Sequence, residues 1–287
     1  AVNQSSRTYV AWAWKAGGTA VSNSDGSITS SVSANPSHGF SIVSYTGTGS
    51  AATVGHGLNG KIPELIIVKN RDRTYNWAVY SSQLSSNAHY MFLNSTDGQS
   101  SNYYTFWNNT APTGSVFSLG ADSSGTAGNV NQSGDDMVAY CFANVPGYQR
   151  IGKYEGNATS GKEVVLGFKP RFLMIKRLTN GTDWWMWDTE RGNSKFLFAG
   201  SSNGGYANEA VIGNYPISPT SNGFTINNTA DLNQNGVKYI FLAIGDDEIG
   251  SDEDCLVDVP NAVTADADET DTTGGYQRGN YAIINRN

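Results

Sequence analysis

Short apolar runs, set between clusters of Gly, Asn, Ser and Asp, recur along this 287-residue chain. β-branched and aromatic residues dominate them and no 3.6-residue period is sustained, so the pattern predicts strands and turns. The clearest are Leu65-Ile66-Ile67-Val68-Lys69 after Pro63-Glu64, and Phe172-Leu173-Met174-Ile175-Lys176 after Pro170-Arg171. Proline suits the first position of a strand, where a missing N–H costs least. Lys69 and Lys176 end these strands and are expected to reach solvent.

One pattern occurs three times without gaps: Val2-Asn3-Gln4 through Trp14, Val130-Asn131-Gln132 through Phe142, and Leu232-Asn233-Gln234 through Ile244. In each an Asn-Gln turn precedes an apolar or aromatic run of the composition expected of a strand buried on both faces. We read it as the closing strand of a repeated β unit. Between the second and third copies the other motifs repeat as well. Tyr45-Thr46-Gly47 answers to Tyr154-Glu155-Gly156, Pro63 to Pro170, Trp77 to Trp184, Phe117 to Phe224, and Tyr140 is set against Phe241. Trp77 and Trp184 are expected to be buried alike.

The organisation predicted is all-β: two tandem homologous antiparallel β-sandwich units with flanking strands and loops. Residues 1–16 form a closing strand with no unit before it, and 17–38, rich in Gly, Ser and Asn, a surface connector. Residues 39–145 form the first sandwich, 146–250 the second, and 251–287 an acidic connector leading into further β structure. A barrel is the nearest rival. The first strand and the interrupted motif Gly275-Tyr276-Gln277-Arg278, which repeats Gly147-Tyr148-Gln149-Arg150, suggest a segment of a longer polypeptide, or a subunit that exchanges its first strand with a neighbour.

Composition agrees with many short strands, with 33 Gly and only 15% charged residues. Eleven acidic residues and no Lys or Arg lie between Asp246 and Asp271, which reads as a solvated connector. No basic patch with interleaved aromatics predicts nucleic-acid binding, and no apolar run is long enough to predict a membrane span. Cys141 and Cys255 sit in unrelated contexts, and His38, His56 and His89 are scattered, so neither a disulfide framework nor a metal site is predicted. The oxygen-rich Asp266-Ala267-Asp268-Glu269-Thr270-Asp271 alternates like a calcium loop but lacks the Gly and terminal Glu of an EF-hand.

The run Pro63 to Arg71 and its echo Leu166 to Arg177, with Tyr9 to Gly18, Phe106 to Pro112 and Val138 to Ala143, resembles a duplicated β-domain of virion proteins from tailed bacteriophages, especially marine and cyanobacterial phages. The resemblance covers about residues 1–250. It implies a virion fibre or surface appendage, exposed on the particle, that assembles with itself as a homo-oligomer and with other virion proteins. It brings no catalytic or binding residues and no cofactor.

The first functional reading is therefore a non-enzymatic structural module of a phage virion. The second is a carbohydrate-binding host-attachment module that presents aromatics to a surface glycan. Trp185, Trp187, Tyr103 and Trp107 are the candidates, since the first unit has Ala78 where the second has Trp185, and a position open to both types suggests an unshared surface. A glycan depolymerase ranks third. Asp135 and Asp136 are paired carboxylates, but neighbours in a strand point to opposite faces, and the second unit has Val237 and Lys238 there.

Overall fold

The computed structural model describes residues 5, 9–102, 104–121, 127–179, 181–199, 210–211, 216–246 and 281–283, with 210–211 and 281–283 as backbone only. The chain opens with β1 (Ala13–Lys15), β2 (Val21–Asn23), β3 (Ser30–Asn35), β4 (Phe40–Thr46) and β5 (Ala52–Gly55). It continues through β6 (Pro63–Asn70), β7 (Ala78–Ser81), β8 (His89–Phe92), β9 (Ser100–Ser101), β10 (Val116–Leu119) and β11 (Asp136–Ala143). After a tight turn come β12 (Gln149–Glu155), β13 (Lys162–Val165), β14 (Pro170–Arg177), β15 (Trp185–Asp188) and β16 (Lys195–Phe198). The last are β17 (Ala210–Val211), β18 (Ile217–Thr220), β19 (Gly223–Ile226), β20 (Lys238–Gly245) and β21 (Tyr281–Ile283).

Two large sheets result. One has eight strands in the order β2-β3-β4-β11-β6-β7-β8-β9, the other six in the order β12-β20-β14-β15-β16-β17. From β4 and from β12 onward the two orders are the same once strands are ranked by place in the chain. Small sheets, β5 with β10 and β13-β19-β18, complete the layers. All the ladders between strands are antiparallel.

Alternation along each central strand decides the layering. Ile66 and Val68 on β6 meet Val54 and Phe117 of the small sheet, while Leu65 and Ile67 face the other way. On β14, Leu173 and Ile175 meet Val164 and Phe224, while Phe172 and Met174 face back. The two backward faces share one apolar cluster that also holds Phe40, Trp184, Leu242 and Trp14. The layers thus run small sheet, eight strands, six strands, small sheet, which is why β11 and β20 sit in the middle, buried from both sides.

Three expectations change. Residues 17–38 are not a surface connector, because they supply β2 and β3, and β3 pairs with β4 from Ser31↔Ser44 to Asn35↔Phe40. Only Val32 and Ala34 turn to the core there, so the apolar signal of this strand is slight. Tyr140 does not correspond to Phe241. Asp136 pairs with Thr46 and Lys238 with Glu155, which makes Leu242 the counterpart, facing the same shared cluster, while Phe241 faces the opposite side. A slip of one residue exchanges faces. The first strand is also not left without a partner: Ala13–Lys15 pairs with Tyr281–Ile283 of the same chain. Its Trp12 and Trp14 are buried between the large sheets, in edge contact with Phe172 at 5.6 Å each.

The Asn-Gln motif has a structural purpose. Asn131 Oδ1 accepts the Thr48 N–H at 2.9 Å and its Nδ2 donates to Ser50 O and Gly120 O. Asn233 brackets its own loop likewise, accepting from Asn157 N at 2.9 Å and donating to Thr159 O at 2.7 Å. Tyr45 Oη donates to Val130 O, and Tyr154 Oη to Leu232 O, at 2.6 and 2.7 Å. Between them, a Cβ on Gly47 or Gly156 would lie 2.2 Å from Gln132 O or Gln234 O, which accounts for the glycine that follows each tyrosine by two.

Candidate functional site

The candidate aromatics are placed in the core. Alternation puts Trp184 and Met186 in the cluster between the large sheets and Trp185 and Trp187 under the β13-β19-β18 sheet. Trp185 is 7% exposed and packs edge-on against Phe196 and Phe198 at 5.2 and 5.0 Å; Trp187 is fully buried. Neither offers a face to a sugar, so the expectation of exposure is corrected. The exchange of Trp185 for Ala78 reflects different filling of equivalent space. In the first sheet the loop after β9 delivers Phe106 and Trp107 to the cluster that contains Ala78. Phe106 stacks on Tyr90 at 3.7 Å and Trp107 meets Tyr80 edge-on at 5.7 Å, which makes Trp107 a core residue too. Tyr103 lies outside the described residues. Trp184 is buried as expected, whereas Trp77 is only half-buried, stacked near Tyr140.

Lys176 does not reach solvent. It is fully buried, and its Nζ donates to Thr96 O at 3.0 Å, to Ser95 O at 3.5 Å and to Thr182 O. Burial pushes its pKa down to about 8, partly offset by the charge of Asp183. The same burial raises the Asp183 carboxyl, whose Oδ1 has no hydrogen-bond partner. The amine therefore fastens a loop of the first half to the second. Gln99 N–H to Leu178 O and Gly181 N–H to Thr96 O, at 2.9 and 3.1 Å, continue that seam. Its counterpart Lys69 is half-buried and donates to Asn70 O and Arg73 O.

A second polar centre lies where β6 ends and β11 begins. Asp135 Oδ2 accepts from Asn70 Nδ2 at 2.8 Å and Arg73 Nε at 2.7 Å, and these bonds hold its carboxyl below the usual range. Asp136 is exposed, its Oδ1 accepting from the Thr46 hydroxyl. The two carboxylates are engaged in separate bonds, a poor arrangement for an acid and base acting on one glycosidic bond.

Beside Asp136 the eight-stranded sheet carries a groove of about 380 Å³. Ser22, Ser31 and Ser44 form a row across β2, β3 and β4, and Thr46 and Asp136 form the next pair. Thr29 and Arg71 add to the polar lining, as do the buried Ser30 and Tyr45. Sequence reasoning missed this groove because its serines lie on strands that a Ser- and Asn-rich stretch conceals.

Among the described residues no group of three or more His, Cys, Asp or Glu is placed to hold a metal. His56 is fully buried and neutral: Nδ1 accepts from Leu58 N–H, which leaves Nε2 to donate to Thr113 O. Cys141 is a core residue whose thiol is pushed up to about 12 by burial. The calcium-like run Asp266–Asp271 and Cys255 lie outside the described residues.

No curated protein and no solved structure matches the chain. One family model, described as a domain of unknown function (DUF7483), matches residues 1–247. With that span covering all of both large sheets, the chain belongs to the DUF7483 family.

Proposed function

We propose that the chain is a non-enzymatic structural module, a rigid spacer or arm in a bacteriophage virion fibre or surface appendage. The observation that carries the mechanical part is the apolar cluster shared by the two large sheets. Bonds across it strengthen the case. Trp184 Nε1 donates to Phe92 O at 2.9 Å, and Gln149 Nε2 to Gly39 O at 3.1 Å. A body joined in this way resists bending between its halves, which is what a spacer needs. The virion setting, and self-association into a fibre with other virion proteins, rest on the resemblance of the Pro63 to Arg71 and Leu166 to Arg177 runs to phage appendage domains.

Two measurements test the parts separately. Calorimetry of the full chain should give one transition with calorimetric and van't Hoff enthalpies equal; two separated transitions would remove the rigid-body argument. Antibody raised against the chain should decorate particles of a phage that encodes it, and labelling confined to infected-cell lysate would remove the virion setting.

A further inference from the structure

The groove of the eight-stranded sheet is built from groups that the fold does not require. Where Thr46 pairs with Asp136, the six-stranded sheet pairs Glu155 with Lys238, and where Ser44 stands it has Lys153. The same strand order is thus kept with long charged side chains at these positions. The hydroxyls of Ser22, Ser31 and Ser44 make no hydrogen bond among the described residues, and Arg71 forms no ion pair there. Directly paired residues of neighbouring strands point to the same face. The three serines therefore present a row of hydroxyls about 10 Å long at the usual strand spacing, with a guanidinium and a carboxylate at one end.

We propose that this groove binds a neutral saccharide of one or two rings. Each serine hydroxyl donates once and accepts twice, as a sugar hydroxyl does, so the row matches a polyol without fixing donor and acceptor in advance. Asp136 accepts from one pair of neighbouring hydroxyls while Arg71 donates to another. Charge gives an anion no advantage. Asp136 lies beside Arg71, Asp72 Oδ2 accepts the Asp136 N–H at 2.6 Å, and the Lys69 ammonium of the neighbouring strand is held by Asn70 O and Arg73 O, so cations and carboxylates balance. The volume lies at the lower end of the range for small-ligand sites. The one aromatic residue of the lining, Tyr45, is buried in the core, so stacking adds nothing and a single site should bind with Kd of about 1 mM. Repetition of the chain in a larger assembly would lower the apparent Kd by avidity. The proposal does not depend on the virion setting.

The test is saturation-transfer NMR on the full chain with a panel of neutral monosaccharides and disaccharides at millimolar concentration, repeated with inorganic phosphate added as a competitor. At least one saccharide should give transfer. Arg71→Ala and Ser31→Lys should each weaken it tenfold or more with an unchanged melting temperature, as expected for exposed positions. If either variant lowers the melting temperature, the third variant Thr29→Lys, at the groove's exposed rim, carries the same expectation. No transfer from any saccharide, transfer that survives all these substitutions, or phosphate binding in preference to sugar would each overturn the proposal.

Discussion

Asn131 and Asn233 show how one side chain can fix a long-range arrangement. Each is fully buried and bridges the loop after β4 or β12 to the turn before β11 or β20. Replacement by Ala leaves several backbone groups without partners in a site that water does not reach, at about 1–3 kcal/mol for each group stranded. Asn131→Ala and Asn233→Ala should therefore each lower stability by about 3 kcal/mol in urea unfolding, whereas Gln132→Ala, half-buried and next in sequence, should change it far less. Lys176 makes a prediction about pH. Its folded pKa of about 8 lies below the ordinary lysine value of 10.5, so between those values the unfolded chain binds the extra proton. The contribution of this group to stability consequently rises with pH across that window and is flat below it. Melting temperatures of wild type and Lys176→Met from pH 7.5 to 10.5 should diverge in favour of wild type as pH rises; parallel curves would refute the depressed pKa. Tyr80 and Cys141, both pushed up to about 12, act in the opposite direction, but they are common to both proteins and cancel in the difference.

At the scale of elements, the first strand behaves as a clasp. Trp12 Nε1 donates to Asp188 Oδ2 at 3.1 Å, and the Arg191 guanidinium lies over the indole at 5.3 Å. Arg191 in turn binds Asp188 at 2.6 Å, both side chains being only 9% exposed. The segment thereby joins the end of β15 to the cluster between the sheets, where Trp14 also touches Phe142. Trp12→Ala should cost about 3–5 kcal/mol, the range for large core aromatics, and should expose Arg191 and Asp188 together. A loss below about 1 kcal/mol would place the segment outside the cooperative fold. The Ala78 and Trp185 pair gives a reciprocal prediction. Trp185→Ala should be destabilising by about 3–5 kcal/mol through the cavity it leaves. Ala78→Trp should also be destabilising, by about 1–3 kcal/mol or more, because Phe106 and Trp107 already occupy the surrounding cluster.

For the whole molecule, the four layers set what can be reached from solvent. The large sheets spend both faces on packing over most of their area, so aromatic residues that would make a sugar platform on a single sandwich are covered here. What remains available is the margin of the eight-stranded sheet, beyond the facing six-stranded one, where β2 and β3 extend it. Among the described residues the six-stranded sheet has no counterpart of these strands, and β12 is its edge. That edge is guarded, since Asn144 Oδ1 accepts the Ile151 N–H at 2.7 Å and Lys153 is exposed along it. A charged residue on an open strand discourages pairing with other chains. Lys153→Val should accordingly increase self-association measured by light scattering.

Much of the local structure was legible in the residues. The Pro63 and Pro170 runs begin strands at those prolines, and Trp184-Trp185-Met186-Trp187 divides between two faces as period-two alternation requires. The all-β class follows from that alternation and from turn residues at short intervals, both of which are properties of adjacent positions. The sequence could not tell which covered face meets what, because an apolar residue is equally satisfied under a small sheet or against the other half of the chain. For the same reason Ala78 and Trp185 looked like a surface exchange until the side chains filling the space from a distant loop were in place. Lys176 was unreadable as buried, since its partners are backbone carbonyls at residues 95, 96 and 182 that carry no signature of their own. The serine groove needed tertiary structure most of all: its polar groups come from five segments, and only strand pairing sets their hydroxyls in a row.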